Sequence, residues 1–253
     1  MIHIGRIMAN FTENSHINQQ LTRHFEAVDF ARSEIQKMWR IFFAGSESVF
    51  EMRALWPKGV AGAQTPVCKF YRASEYPSLE ACKAAFEQDA LALNAKGFNI
   101  YTVMNPISSA VGGQKATKDE DILYRDLLLV DIDRTGDTSE PATAEEVQAA
   151  KSLAIQIRLF MDSRGWPAPS VVMSGNGYHL YYVLEDVDND KAATDLVKSV
   201  LNMLAAKFDN TTVSVDTCVH NAARITKVPG TIMRKGKESA LRPYRMAEVC
   251  DEL

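Results

Sequence analysis

The stretch DLLLVDIDRTG, Asp126 to Gly136, runs four apolar residues straight into two carboxylates, Asp131 and Asp133. Such a run predicts a strand inside a sheet, where unpaired negative charge is costly. Side chains two apart on a strand share a face, so both carboxylates stand side by side and raise each other's pKa unless a cation lies between them. Two readings are open: a metal site at a strand end, or a strand that surfaces with its aspartates capping the loop RTGDTSEP.

On either side of this strand the chain alternates helices with short strands. Residues from about Ser15 to Phe43 carry apolar positions at helical spacing, and Gly45 ends the run. SVFEMRALWP and PVCKFYRA read as strands. A helix follows with Ser78 as N-cap and Gly97 past its last turn, and then a strand, NIYTVMNPI. SSAVGGQKATKDED is a polar loop. After the DLLLVDID strand come a helix ending at Gly165, two strands around a turn in PSVVMSGNGYHLYYVLE, a helix in DKAATDLVKSVLNMLAAKF, and TTVSVDTCVHNAARITKVPG. This order predicts an α+β fold with helices mainly on one side of the sheet. No linker divides the chain into independent halves; a helical segment over 1–45 and one large unit over 46–253 are expected.

In SGNGYH, the Asn176-Gly177 pair predicts a primed hairpin turn that sets Ser174 opposite His179 and Gly175 opposite Tyr178. A hydroxyl, an imidazole and glycine backbone then converge, as either an anion site or a structural contact. In VSVD, Val213 and Val215 face the core while Ser214 and Asp216 face the other way. Eight residues on, Arg224 opens RITKVPGT, with a guanidinium fork and the Lys227 ammonium before a Pro-Gly turn. For Asp216 and Arg224 the plain alternative is an internal salt bridge. Taken together, three carboxylates can hold two divalent cations about 3.5–4 Å apart, and the basic groups and His179 can grip phosphate oxygens.

The whole chain sets limits on partners. Its 253 residues are 46% hydrophobic and 24% charged, with net charge −4, so there is no global attraction to polyanions. Between Asn221 and Arg245, however, seven Lys or Arg face one acid, Glu238. That is a polyanion-facing surface or merely a solvated one. Cys68, Cys82, Cys218 and Cys250 are scattered, and no zinc site or disulfide framework is expected. With no long apolar stretch and no basic-then-apolar start, no membrane association is expected and a cytoplasmic location is.

The motifs LLVDID, SGNGYHLYY and VSVD, in that order, resemble the three motifs of the archaeo-eukaryotic primase superfamily, the primase-polymerases of plasmids, phages and CRISPR-associated systems. RITKVPGT is similar to the basic extension of the mobile-element branch, and the likeness runs from about Val49 to Arg245. The resemblance implies an RRM-like β-sheet palm packed against a smaller αβ unit, with the cleft between them. It implies Asp131, Asp133 and Asp216 as catalytic metal ligands for two Mg or Mn ions. Ser174, Gly175, Asn176 and His179, with Arg224 and Lys227, would hold the phosphates of the incoming nucleoside triphosphate (NTP or dNTP). Tyr101 is a candidate for the sugar, and Arg234, Lys235 and Lys237 for a single-stranded DNA template. The activity implied is de novo primer synthesis and extension by a DNA primase/polymerase, with a helicase or a CRISPR or replication protein as candidate partner. No helicase motif is present in this chain. The rival readings are a non-catalytic RRM-like binding module, which has no need of Asp131 or Asp133, and a metal-dependent nuclease, which has no need of a triphosphate clamp.

Overall fold

A computed structural model describes residues 26–42, 45, 48–112, 116–251 and 253. The chain forms α1 (26–38), β1 (Val49–Leu55), β2 (Val67–Arg72), α2 (Leu79–Ala95), β3 (Asn99–Val103), β4 (Tyr124–Arg134), α3 (Ala144–Asp162), β5 (Ser170–Met173) and β6 (Tyr178–Asp188). It continues with α4 (Lys191–Phe208), β7 (Val213–Val215), β8 (Ile225–Lys227), β9 (Ile232–Met233), β10 (Arg245–Met246) and β11 (Glu248–Cys250). The expected helix over Ser15–Phe43 is seen over 26–38; residues 15–25 and 43 lie outside the described ones, as do 113–115 of the polar loop.

The fold is α+β. Its larger sheet is antiparallel throughout, in the order β11-β5-β6-β4-β7. Within it, β4-α3-β5-β6-α4-β7 traces the split β-α-β pattern, with β4 and β6 central. Such crossovers put both helices on one face, and Leu153, Ala154 and Ile157 of α3 and Val197, Leu201 and Leu204 of α4 are buried there. Leu128, Val130 and Ile132 of β4 and Leu180 and Tyr182 of β6 alternate onto that side, all at most 1% exposed. Each helix start is capped as its sequence dictates: Ser78 Oγ accepts from Ala81 N, Thr143 and Glu146 form a reciprocal box, and Asp190 accepts from Ala193 N.

The smaller sheet, β2-β1-β3-β8, is also antiparallel and carries α2. Its last strand follows β7 in the chain, so the chain crosses back from the larger sheet and places RITK opposite the carboxylates. Ile35, Met38 and Phe42 join the core shared by both sheets. Among the described residues no helix is long and apolar enough to cross a membrane.

The hairpin register corrects one expectation. Met173 pairs with Tyr178 and Val172 with His179, and Ser174 N donates to Gly177 O at 2.9 Å. Gly175 and Asn176 are therefore the central turn residues, and Ser174 lies opposite Gly177 rather than His179. Gly175 supplies the positive φ, +104°. Gly177 serves a different need, because a Cβ there would collide with the Ile132 carbonyl and the Asp133 carboxylate.

Candidate active site

The face of the larger sheet turned away from α3 and α4 carries the acidic residues. Asp131 pairs with His179 on β6, and on its other side Asp216 N donates to Asp131 O at 2.8 Å. His179, Asp131 and Asp216 thus form one row across three strands. Asp133 lies two residues along β4, paired with Ser214. This row forms one wall of a cavity of about 310 Å³, whose opposite wall is β3, β8 and the residues after β9. The cavity brings together Tyr101, Asp131, Asp133, Ser174, Asn176, His179, Asp216, Arg224, Lys227 and Lys235. Gly175, Arg234 and Lys237 do not line it. A second cavity, about 140 Å³ between α1 and β3, is lined by no carboxylate or basic group.

The charges in the first cavity are unevenly balanced. His179 Nε2 stands 3.3 Å from Asp131 Oδ1, near enough for charge to act but not aligned as a hydrogen bond, and that oxygen is buried without a donor. Burial alone would raise the Asp131 carboxyl; His179, then Arg224 and Lys235, hold it below the usual value. Asp133 lacks that relief, and burial followed by the Asp131 charge pushes it up to about 6. Asp216 Oδ1 accepts from Cys218 N at 2.7 Å.

The basic wall is short of counter-ions. Lys227 is 2% exposed, with Ile232 O at 3.3 Å and the Tyr101 ring 5.7 Å away. Burial, then Arg234, drives its ammonium well below the usual value. Arg224 donates through Nη2 to Cys218 O at 2.6 Å, while its Nε is buried without a partner. Among the described residues it makes no ion pair with Asp216, so the internal salt bridge is absent. Lys235 is felt by Asp133 and Asp131. It points into the cavity because Asn99 clamps Arg234 on either side, Nδ2 to Arg234 O and Arg234 N to Oδ1, both at 2.8 Å. Lys237 is exposed. Asn176 spends its side-chain oxygen on Ala142 N at 2.9 Å, and Ser174 Oγ on Gly177 N at 3.3 Å.

Two further residues escape the motif reading. Tyr181 Oη lies 3.0 Å from His179 Nδ1, Thr226 Oγ1 lies 3.2 Å from the same nitrogen, and the two hydroxyls are in direct contact. The available signal was alternation: Tyr181 is two residues from His179 on the same face, and Thr226 sits in RITK on the facing strand.

Among the described residues no group of three or more His, Cys, Asp and Glu side chains stands where it could by itself hold a metal ion. The donor set nonetheless suits Mg²⁺ or Mn²⁺, which typically take one or two carboxylates and complete their shells with water and substrate phosphates. An unpartnered Asp131 oxygen beside a carboxyl held up by burial and like charge fits such a site.

No protein-family model and no curated protein matches the chain. Among solved structures it is similar to the AEP domain of the cyanophage S-2L primase-polymerase, with 16% identity over 87% of this chain and 89% of that one and a TM-score of 0.49. It is similar to the primase RepB', with 13% identity, 87% and 56% coverage and a TM-score of 0.47. A third is the polymerase domain of Mycobacterium tuberculosis Ligase D in complex with DNA, with 16% identity, 86% and 79% coverage and a TM-score of 0.48. Likeness at this level leaves function to be argued from the cleft itself.

Proposed function

We propose that the chain is a template-dependent nucleotidyltransferase of the archaeo-eukaryotic primase type, which makes primers on single-stranded DNA and extends them. The observation that carries this reading is one cavity with two opposed walls. Asp131, Asp133 and Asp216 stand on one, and on the other stand Arg224 and a buried Lys227 that pairs with no carboxylate among the described residues. A nuclease has use for the first wall and a binding module for neither; a triphosphate with divalent cations requires both.

Two divalent cations held by Asp131, Asp133 and Asp216 would neutralise charge on the triphosphate and make the attacking hydroxyl more acidic. The chain's own residues do the remainder. Arg224 presents free guanidinium N–H groups to phosphate oxygens, and Lys227 becomes stable as an ammonium once an anion is beside it. Lys235 balances Asp133 and orients the phosphates. His179 donates from the row of Asp131. Tyr101, under the Lys227 ammonium, is the candidate surface for the sugar, and Arg234 and Lys237 for the template strand.

The test is incubation with single-stranded template, labelled nucleotides and Mg²⁺ or Mn²⁺. New oligonucleotides are expected, and none from Asp131→Ala with Asp133→Ala. Shortened template without synthesis would establish the nuclease instead.

A further inference from the structure

The two walls of the cavity are joined by the crossover from β7 to β8, and one residue of that crossover touches both. Cys218 N donates to Asp216 Oδ1 at 2.7 Å, and Cys218 O accepts from Arg224 Nη2 at 2.6 Å. The place of this backbone therefore sets how the Asp216 carboxylate stands against the Arg224 guanidinium. The ends of the crossover are tied to the sheets, Asp216 N to Asp131 O and Met104 N to Arg224 O. Between them, residues 217–223 belong to no helix or strand, yet Val219, Ala222 and Ala223 are buried. Buried backbone outside a ladder needs partners from elsewhere.

Three side chains supply them. Arg125 of β4 donates through Nη1 to His220 O at 2.9 Å and through Nη2 to Thr194 Oγ1 of α4 at 2.7 Å; His220 Nδ1 donates in turn to Thr217 O at 2.9 Å, next to Asp216. Asn105, just past β3, donates to Ala222 O at 2.9 Å, while its Oδ1 accepts from Asp126 N and Leu127 N at 3.0 and 3.2 Å, where β4 shifts register. Asp119 Oδ1 accepts from Ala223 N at 2.7 Å and Asn221 Nδ2 at 3.2 Å, next to Arg224. Arg125 is the most telling of the three. It is 3% exposed, its bonds go to a carbonyl and a hydroxyl, and its Nε is buried without a partner. Burial disfavours its charge, and Asp119 and Asp190 offset only part of that. An apolar residue would avoid this cost but could not hold His220.

We infer that Arg125, Asn105 and Asp119 are positioning residues that fix the crossover 217–223, and through it the placement of Asp216 against Arg224. None of the three lines the cavity of the carboxylates, so each acts only through the backbone it holds. The inference rests on the nucleotide reading for its kinetic consequences, whereas the support itself belongs to the free protein. It is also graded along the crossover: Asp119 grips the end next to Arg224, and Arg125, by way of His220 and Thr217, the end next to Asp216.

The experiment compares wild type with Asp119→Ala, Asp119→Asn and Arg125→Met. Asp119 is exposed, so its removal threatens the fold least; Arg125→Met keeps an apolar stem and removes the fork. Amide hydrogen exchange of the metal-free protein should quicken over 217–223 in Asp119→Ala and Arg125→Met while β4 and β6 stay protected. In Asp119→Ala, nucleotide KM should rise about three- to tenfold with Mn²⁺ affinity, titrated without nucleotide, within about twofold of wild type. Arg125→Met should in addition weaken Mn²⁺ binding about three- to tenfold and lower kcat. Asp119→Asn, which keeps the accepting oxygen, should stay within about twofold of wild type throughout. Unmoved amides overturn the inference, as do quickened amides with KM and Mn²⁺ affinity unchanged, because the crossover would then be supported to no effect on the site. Asp119→Asn behaving like Asp119→Ala also overturns it, since charge and not position would be at work. A wild type that neither binds nucleotide nor makes product sinks the nucleotide reading instead, and amide exchange then decides by itself whether these side chains fix the crossover. Should Arg125→Met fail to fold, the two Asp119 variants decide alone.

Discussion

Asp133 offers the sharpest handle on the site because its carboxyl is held up to about 6, whereas an unfolded aspartate releases its proton near pH 4. Between those values the folded chain binds the extra proton, so stability falls as pH rises, and above about pH 6 the whole penalty stands. In the absence of divalent cations, Asp133→Asn should therefore raise the melting temperature at pH 7 to 8 and leave it unchanged below about pH 4. The carboxyl lines an open cavity, so about 1–3 kcal/mol is a fair size, or roughly 3–8 °C. A scan from pH 3.5 to 8 with no pH-dependent gain would remove the account of Asp133 as a carboxyl raised by burial and by the Asp131 charge. Arg224 should fail differently. Its fork keeps one bond to Cys218 O and has a buried, unpartnered Nε. Arg224→Ala should raise nucleotide KM by about one to two decades, the loss of one charged contact, and impair initiation more than extension. Arg224→Lys should recover little because an ammonium cannot reproduce the fork. Side-by-side initiation and extension titrations check this. Part of the acidic row was legible because alternation puts Asp131 and Asp133 on one face of β4 and turns Asp216, just past β7, away from the core side of Val213 and Val215. Tyr181 and Thr226 were not, since what marks them is a contact between strands 45 residues apart.

At the scale of elements, the strands and helices longer than four residues follow from periodicity, caps and turn residues. The strands β9, β10 and β11 have two or three residues each, too few for any alternation to show. The SGNGYH turn was displaced by one residue for a tertiary reason: Gly177 is required where β4 passes close by, so the positive φ falls to Gly175. Lys235 could not be assigned to the cavity from sequence either, because its aim depends on side-chain clamps from far along the chain. Asn94 brackets Ile232 with Nδ2 to O and N to Oδ1, each 2.9 Å, and Asn99 brackets Arg234 in the same way. These amides pair the strand as a neighbouring backbone would. Asn99 is 4% exposed, so Asn99→Leu sets an apolar side chain against the part-buried N–H and C=O of Arg234, leaves both unpaired and should cost about 2–4 kcal/mol. Because the same clamp aims Lys235, nucleotide KM should rise while Asn94, still holding Ile232 beside Lys227, keeps kcat measurable. Chemical denaturation alongside kinetics tests both; a stable variant with unchanged KM would make the clamp irrelevant to the cleft.

On the scale of the whole molecule, the two sheets contribute opposite charges to one cavity, and neither is at rest without the other's ligand. The larger sheet brings carboxylates, one of them raised by burial and by like charge; the return of the chain into β8 brings Lys227, whose charged form burial disfavours, and Arg224 with an idle Nε. On the proposed reading a divalent cation would satisfy the first wall and a triphosphate the second, and each would make the other's site more favourable by cancelling the field across the gap. Thermal stability should report that coupling. Mn²⁺ alone or nucleotide alone should raise the melting temperature little, and both together by more than the sum of the two. At about a hundredfold excess over the dissociation constant, binding stabilises by roughly 2.7 kcal/mol, which for a chain of this length is about 5–10 °C. Asp131→Ala with Asp133→Ala should melt higher than wild type when free, because the repulsion is gone, and lose the Mn²⁺ response together with the synergy. Lys227→Met should keep the response to Mn²⁺ alone and lose the nucleotide increment. A differential scan of the three proteins, each with buffer, Mn²⁺, a non-hydrolysable triphosphate, and both, separates the walls without requiring any product to form. Strictly additive shifts in the wild type would mean that the two walls work independently, and the single shared site for a metal-bound triphosphate would then have to be abandoned.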